Sequence, residues 1–240
     1  MKLRAQQKQW NRLARHDPLW AILARPGKRN RRWDPEEFFA TGRDEIEAVM
    51  RGIEGLGCPA ARGRALDFGC GIGRNTQALA TWFDHVTGVD ISPAMLDLAQ
   101  KHNRAPERCA YVLNADDDLR AFPDATFDFI YSRLVLQHLP LRQVRRYVRE
   151  FLRILRPAGL LLFQLPSRRR PRPAWQVLAS RAYRLVAGKI LRVSRVVEMN
   201  GVPREIITRD VEESGGRILD VKTDQSAGPT WESYLYAVTK

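Results

Sequence analysis

Ala65-Leu66-Asp67-Phe68-Gly69-Cys70-Gly71-Ile72-Gly73 decides the fold of this 240-residue chain. Its first four residues read as a short buried strand, and the three glycines turn the chain into a helix expected to reach about Phe83. Glycine has no Cβ, so the backbone can bend sharply there and approach a ligand closely. The helix start behind the turn offers free N–H groups. A dinucleotide phosphate site takes Gly-x-Gly-x-x-Gly, whose third glycine falls where this chain has Arg74. Gly-x-Gly-x-Gly therefore argues against a dehydrogenase. The bland alternative is a tight turn with no ligand.

Outward from the turn, Val86 to Val89 reads as a second strand closed by Asp90, seventeen positions after Gly73. A carboxylate there can accept both hydroxyls of an adenosine ribose, because the crevice of such a sheet opens at the carboxyl ends of its strands. Its other reading, a cap for the helix beginning at Pro93, is a role that Ser92 already fills. Further strands are expected at Tyr111–Leu113, Phe127–Tyr131 and Leu160–Leu165. A helix is expected from Leu141 to Leu155, with apolar residues three or four apart. After it, Arg204 to Glu213 reads as a helix stopped by Gly215-Gly216, and Arg217–Val221 with Tyr234–Val238 as an antiparallel hairpin at the sheet edge. Strands alternating with helices imply an α/β fold with a mostly parallel, doubly wound sheet. Upstream, Asp34-Pro35-Glu36-Glu37 is a helix start, running to about Glu54. Residues 1–15 look helical and basic, and 16–35 an extended connector.

Composition narrows the class. Hydrophobic residues make up 44% of the chain, which excludes disordered and collagen-like classes. No apolar run nears the roughly 20 residues of a membrane span, and Met1 to Gln6 shows no secretory signal. Cys58, Cys70 and Cys109 are odd in number and far apart, so neither a disulfide framework nor a metal site is expected. A reducing, cytoplasmic location is the expectation. The net charge of +13 is uneven: residues 1–33 hold ten Lys/Arg against one Asp, and 167–195 hold nine basic residues and no acid. Trp175, Leu178, Ala182, Val186, Ile190 and Val193 repeat at helical spacing, with Arg181, Arg184, Arg192 and Arg195 on another face. This basic helix has three readings: a lid on the core, a site for an anionic substrate, or a surface for RNA or an anionic membrane. Arg142, Arg145, Arg146, Arg149, Arg153 and Arg156 suggest another basic surface, although no RNA-binding module is visible.

Ala65 through Thr76 resembles the first motif of class I S-adenosylmethionine-dependent methyltransferases. Val86 through Ser92 resembles their second, and Ala125–Ser132 with Val135–Pro140 their fourth-strand motif. Arg156-Pro157-Ala158-Gly159 is similar to the turn into their fifth strand, and Trp33 through Arg43 to the leader of a bacterial small-molecule subgroup. The resemblance implies a Rossmann-like seven-stranded sheet and S-adenosyl-L-methionine as cofactor. It puts Asp67, Gly69, Cys70 and Gly71 at the methionine end, Asp90 on the ribose, and Ile91 and Met95 against the adenine. Ala115, Asp116 and Asp117 would meet the adenine edge, in a run of acids through Asp118 whose register can slip by one or two. Ser132 would lie near the methionine amine. Arg43 would pair with the cofactor carboxylate, or else be a solvated helix arginine.

A sulfonium methyl is already activated, so the protein needs only to hold the acceptor in line, about 3–3.5 Å away, and exclude water. A hydroxyl acceptor must also lose a proton. His138 is the candidate base, its alternative being a structural histidine, and Gln137 and Tyr131 are candidates to orient the acceptor. The expected organisation is a basic leader and cap helix over 1–55 and a methyltransferase core over 56–240, with a helical lid at 167–203. The expected function is methyl transfer to a small-molecule O or N nucleophile, with an anionic substrate among the readings of the basic segments. The alternatives are a tRNA or rRNA methyltransferase and a non-catalytic cofactor-binding partner protein.

Overall fold

Period-two alternation of large apolar residues in the central strands buries both faces of one sheet. The computed structural model describes residues 2–171 and 198–240. Its strands are β1 (Arg64–Phe68), β2 (His85–Asp90), β3 (Cys109–Leu113), β4 (Phe127–Ser132), β5 (Leu155–Arg169), β6 (Arg217–Thr223) and β7 (Trp231–Thr239). They lie in the order β3-β2-β1-β4-β5-β7-β6. The first five run parallel, and β7 is antiparallel to both neighbours. The order reverses between β1 and β4, so a crevice is expected at their carboxyl ends.

The helices are α1 (Lys2–His16), α2 (Pro18–Ile22), α3 (Pro35–Ile53), α4 (Arg74–Leu79), α5 (Pro93–Lys101), α6 (Leu141–Ile154) and α7 (Arg204–Glu213). Leu66, Ile130, Leu161 and Phe163 face α6 and α7, packing with Val144, Val148, Phe151, Ile207 and Val211. Their neighbours Ala65, Phe129, Tyr131, Leu160 and Leu162 face α3 and α4, with Ile46, Met50 and Leu79. A third apolar cluster seats the leader: Ala14, Trp33, Phe38 and Phe39 pack on Ile72 and Met95. The capping signals act as read: the Asp34 side chain accepts from Glu37 N at 2.9 Å, and Ser92 Oγ from Met95 N at 3.2 Å.

Several boundaries differ from expectation. The connector contains a helix, α2, because Pro18 pre-sets the first helical φ directly after Asp17. The helix α4 stops at Leu79, where i→i+3 bonds from Thr81 N to Ala78 O and Trp82 N to Leu79 O tighten the chain. Strand β5 runs to Arg169 because β7 pairs with it that far. The helix expected over 174–195 lies outside the described residues. Among the described residues, no helix is long and apolar enough to cross a membrane.

Candidate active site

Gly69, Gly71 and Gly73 all take positive φ, at 79°, 55° and 81°, the left-handed region that glycine enters without strain. Space also demands glycine: a Cβ on Gly73 would lie 2.2 Å from the Tyr111 hydroxyl, and one on Gly69 2.2 Å from Val135. The N–H groups of Gly69 and Cys70 both donate to Val89 O, at 2.7 and 3.0 Å, so the turn hangs on the end of β2. Asp90 completes the tie. Its Oδ2 accepts from Gly71 N at 2.9 Å and its Oδ1 from Ser92 N at 2.8 Å. Burial raises the Asp90 pKa, opposed by those N–H groups. Asp67 is buried beneath the turn and accepts from Thr76 Oγ1 at 2.7 Å. Burial is the largest influence on its carboxyl, lifting the pKa to about 7. The Cys70 thiol is buried, and its pKa is driven well up by burial.

Ile91 lies beyond Asp90 with its carbonyl held by Gln7 Nε2 at 2.9 Å, and Met95 is buried under the leader. Leu113 pairs with Asp90 across β2 and β3 and is 49% exposed, an apolar wall beside the acid. The acid run sorts itself. Asp118 is buried and bonded to Arg120 and Arg146, the Arg120 bonds chiefly holding its pKa down at about 2. Asp117 pairs with Arg146 at 2.8 Å. Ala115 and Asp116 are exposed, and the Asp116 carboxylate has no partner among the described residues. Ser132 is fully buried and donates to Phe68 O at 3.2 Å, joining the ends of β4 and β1.

His138 follows in a short 3-10 turn, Leu136–His138. Its Nδ1 lies 2.9 Å from Glu198 O and its Nε2 3.3 Å from Gln137 Nε2. A carbonyl can only accept, so Nδ1 carries the proton and the Nε2 lone pair accepts from the Gln137 amide N–H. Burial lowers the His138 pKa, which favours that neutral form. Gln137 is buried, and its Oε1 has no hydrogen-bond partner among the described residues. Trp10 packs edge-on to His138 at 5.6 Å, and Gln6 Nε2 donates to the His138 carbonyl at 2.8 Å.

Tyr131 shares the face of Phe129, is wholly buried, and its hydroxyl donates to Glu45 Oε1 at 2.8 Å, so the structure does not bring it together with Gln137 and His138. Arg43 is exposed beside Glu36, while Thr41 and Glu45 occupy the face of α3 that meets the sheet and Arg74. The sequence reading missed Glu45 itself. It accepts from Arg74 at 2.8 Å and Asn75 at 3.0 Å, and Arg133 stands 3.8 Å away, itself paired to Asp224 at 2.9 Å. Burial pushes the Glu45 pKa up, but Arg74, Arg133 and the hydrogen bonds outweigh it and hold the carboxyl low. The available signal was a carboxylate on the apolar face of α3, four residues after Thr41 and one before Ile46.

Residues 66–163 match the family model described as a methyltransferase domain. The chain carries a class I S-adenosylmethionine-dependent methyltransferase domain. Relatives of this chain include a phosphoethanolamine N-methyltransferase of Triticum aestivum, 34% identical over 52% of this chain and 24% of that protein. A ubiquinone biosynthesis O-methyltransferase of Xylella fastidiosa is 32% identical over 57% of this chain and 54% of its own length. The chain thus spans about a quarter to a half of these curated relatives. In fold, the chain is similar to a magnesium protoporphyrin IX methyltransferase of Synechocystis PCC 6803 with bound S-adenosylhomocysteine. The TM-score is 0.67 at 14% identity, covering 100% of both chains.

The residues of the methyltransferase domain fit its cofactor. Asp90 lies at the carboxyl end of β2 with a lone pair left on each oxygen beside the N–H of Gly71 or Ser92, and Leu113 offers an apolar surface next to that acid. The leader closes over this crevice. Ile22 rests on the turn, 2.7 Å from where a Cβ of Gly71 would stand. Asn11 Oδ1 accepts from Ser92 Oγ at 2.6 Å. A cofactor lying on the turn shares that volume with Ile22, so Ile22 must shift to admit it.

The basic surface expected on α6 is largely neutralised. Arg145 pairs with Asp210, Arg146 with Asp117 and Asp118, Arg153 with Glu150 and Asp124, and Arg156 with Asp128. Only Arg142 and Arg149 of the six lack an acidic partner among the described residues. These arginines clamp α6 to its neighbours, using acids distant in sequence.

Proposed function

We propose that this chain transfers a methyl group to the O or N nucleophile of a small molecule seated beyond β4. The observation that carries this reading is His138, neutral, with Nδ1 held by the Glu198 carbonyl and its Nε2 lone pair accepting from the Gln137 amide, a contact that an acceptor's own proton would replace. Bound S-adenosylmethionine supplies an electrophilic methyl and a thioether leaving group. Asp90 anchors the ribose and the glycine turn receives the methionine end. His138 Nε2, released by the Gln137 amide, accepts the proton of a hydroxyl or ammonium acceptor, and Gln137 Oε1, buried and without a partner among the described residues, accepts from a remaining N–H of an amine acceptor. The leader excludes water. The relatives named for phosphoethanolamine N-methylation and ubiquinone O-methylation support both acceptor atoms. The pairing of three α6 arginines, and of Arg156 at the start of β5, argues against an open basic trough for RNA.

The test is mass-spectrometric detection of methylated product from panels of hydroxyaryl compounds, phosphorylated amines and RNA, with wild type and His138→Ala. Small-molecule product that falls away in the variant supports the proposal. Product formed on RNA alone, or on nothing, overturns it.

A further inference from the structure

The charge of the leader is unspent, in contrast to that of α6. Among the described residues, Lys28 is the one cation of the leader with an acidic partner, Glu37. Arg4, Lys8, Arg12 and Arg15 are all exposed on α1, at steps of four, four and three, and so form one stripe along the helix. Arg25, Arg29 and Arg32 are exposed in the loop beyond α2. Asp97 of α5 lines the same cavity of about 610 Å³ as Arg15 and Arg31, yet pairs with neither. Asp17 is the single acid of residues 1–33, and its Oδ2 accepts the backbone N–H of Arg31. A run of like charges left unpaired on a folded surface repels itself, and a polyanion relieves that repulsion.

We infer that the outer face of the leader, built on Arg4, Lys8, Arg12 and Arg15, docks on an anionic phospholipid surface. The disposition of aromatic groups separates this partner from nucleic acid. A single-strand binder offers aromatic faces on which bases stack, but here Trp10 lies against His138, Trp33 is buried, and Trp20 sits under the guanidinium of Arg29. The stripe therefore reads charge and not bases. Beneath it, Trp10, Leu19 and Ile22 of α1 and α2 pack against the core, so the leader meets the surface through its charged face alone, as a polybasic segment does. The inference is independent of whether methyl transfer occurs.

The experiment is co-sedimentation of the full chain with phosphatidylcholine vesicles, with and without phosphatidylglycerol, at low and high salt. The expected result is binding to the anionic vesicles alone, reversed by salt, and at least roughly tenfold weaker in the R4Q/K8Q/R12Q/R15Q variant. Calorimetric uptake of S-adenosylhomocysteine, measured in parallel, reports separately on the cofactor site. Should the quadruple variant fold poorly, R25Q/R29Q/R32Q is expected to weaken binding severalfold. No binding, equal binding to neutral vesicles, or retained binding by a folded quadruple variant overturns the inference. So does displacement of the protein from vesicles by single-stranded RNA at equal phosphate.

Discussion

The N–H of Gly71 and the carboxylate of Asp90 meet at 2.9 Å. This bond makes the glycine turn after β1 and the acid at the end of β2 one unit. Neither can move without the other, and both border the crevice at the reversal of strand order. Asp90→Ala removes the ribose acceptor and frees the turn. Cofactor affinity is expected to fall by about 1–3 kcal/mol in calorimetry. Unchanged affinity would remove Asp90 from the site.

His138→Ala is expected to slow transfer to a hydroxyl acceptor by about 10²–10⁴-fold while leaving S-adenosylhomocysteine affinity unchanged. The pH profile adds a sign. Burial lowers the His138 pKa from its usual 6.5, so the neutral base persists into more acidic solution. The acidic limb of kcat/KM should fall below pH 6.5. A limb above that value would contradict the assignment.

Glu45 binds two helices and a strand through Arg74, Asn75 and Tyr131. Glu45→Ala leaves the buried Arg74 guanidinium without its counter-charge. A loss of about 3–5 kcal/mol is expected in urea unfolding, and less in Glu45→Gln, which keeps hydrogen-bonding atoms. A loss below about 0.5 kcal/mol, the range of surface substitutions, would show that the network carries no stability.

Asp67 has a folded pKa of about 7 against an ordinary 3.8. The folded state therefore holds a proton that the unfolded chain has released. The stability this contributes is fully present below pH 3.8 and is lost as pH rises through 7. Asp67→Asn abolishes the titration. Relative to wild type, the variant should gain stability between pH 5 and pH 8, on the order of a few kcal/mol. A difference independent of pH would contradict the shift.

Local physics explains what could be read without coordinates. The glycine turn and Asp90 were legible because backbone curvature and strand ends leave their mark in adjacent residues. So were the helix starts at Asp34 and Ser92, whose caps act within three residues. The surroundings of Tyr131 are not legible, because its place in the strand next to Ser132 says nothing of which face it shares, and its stacking on Phe129 appears only once the sheet is packed. Glu45 escapes a reading that looks for a cation opposite a carboxylate, because its angular place on α3 decides that it meets the sheet. The α6 arginines looked unpaired because the acids that answer them stand as far off in the chain as Asp210.

Isothermal titration of the purified chain with S-adenosylhomocysteine tests the central claim most directly, that the turn at 69–73 and Asp90 form a nucleoside site. Saturable uptake of one equivalent in wild type, weakened in Asp90→Ala, is the expected result. A wild-type protein that is folded yet takes up none would contradict the account.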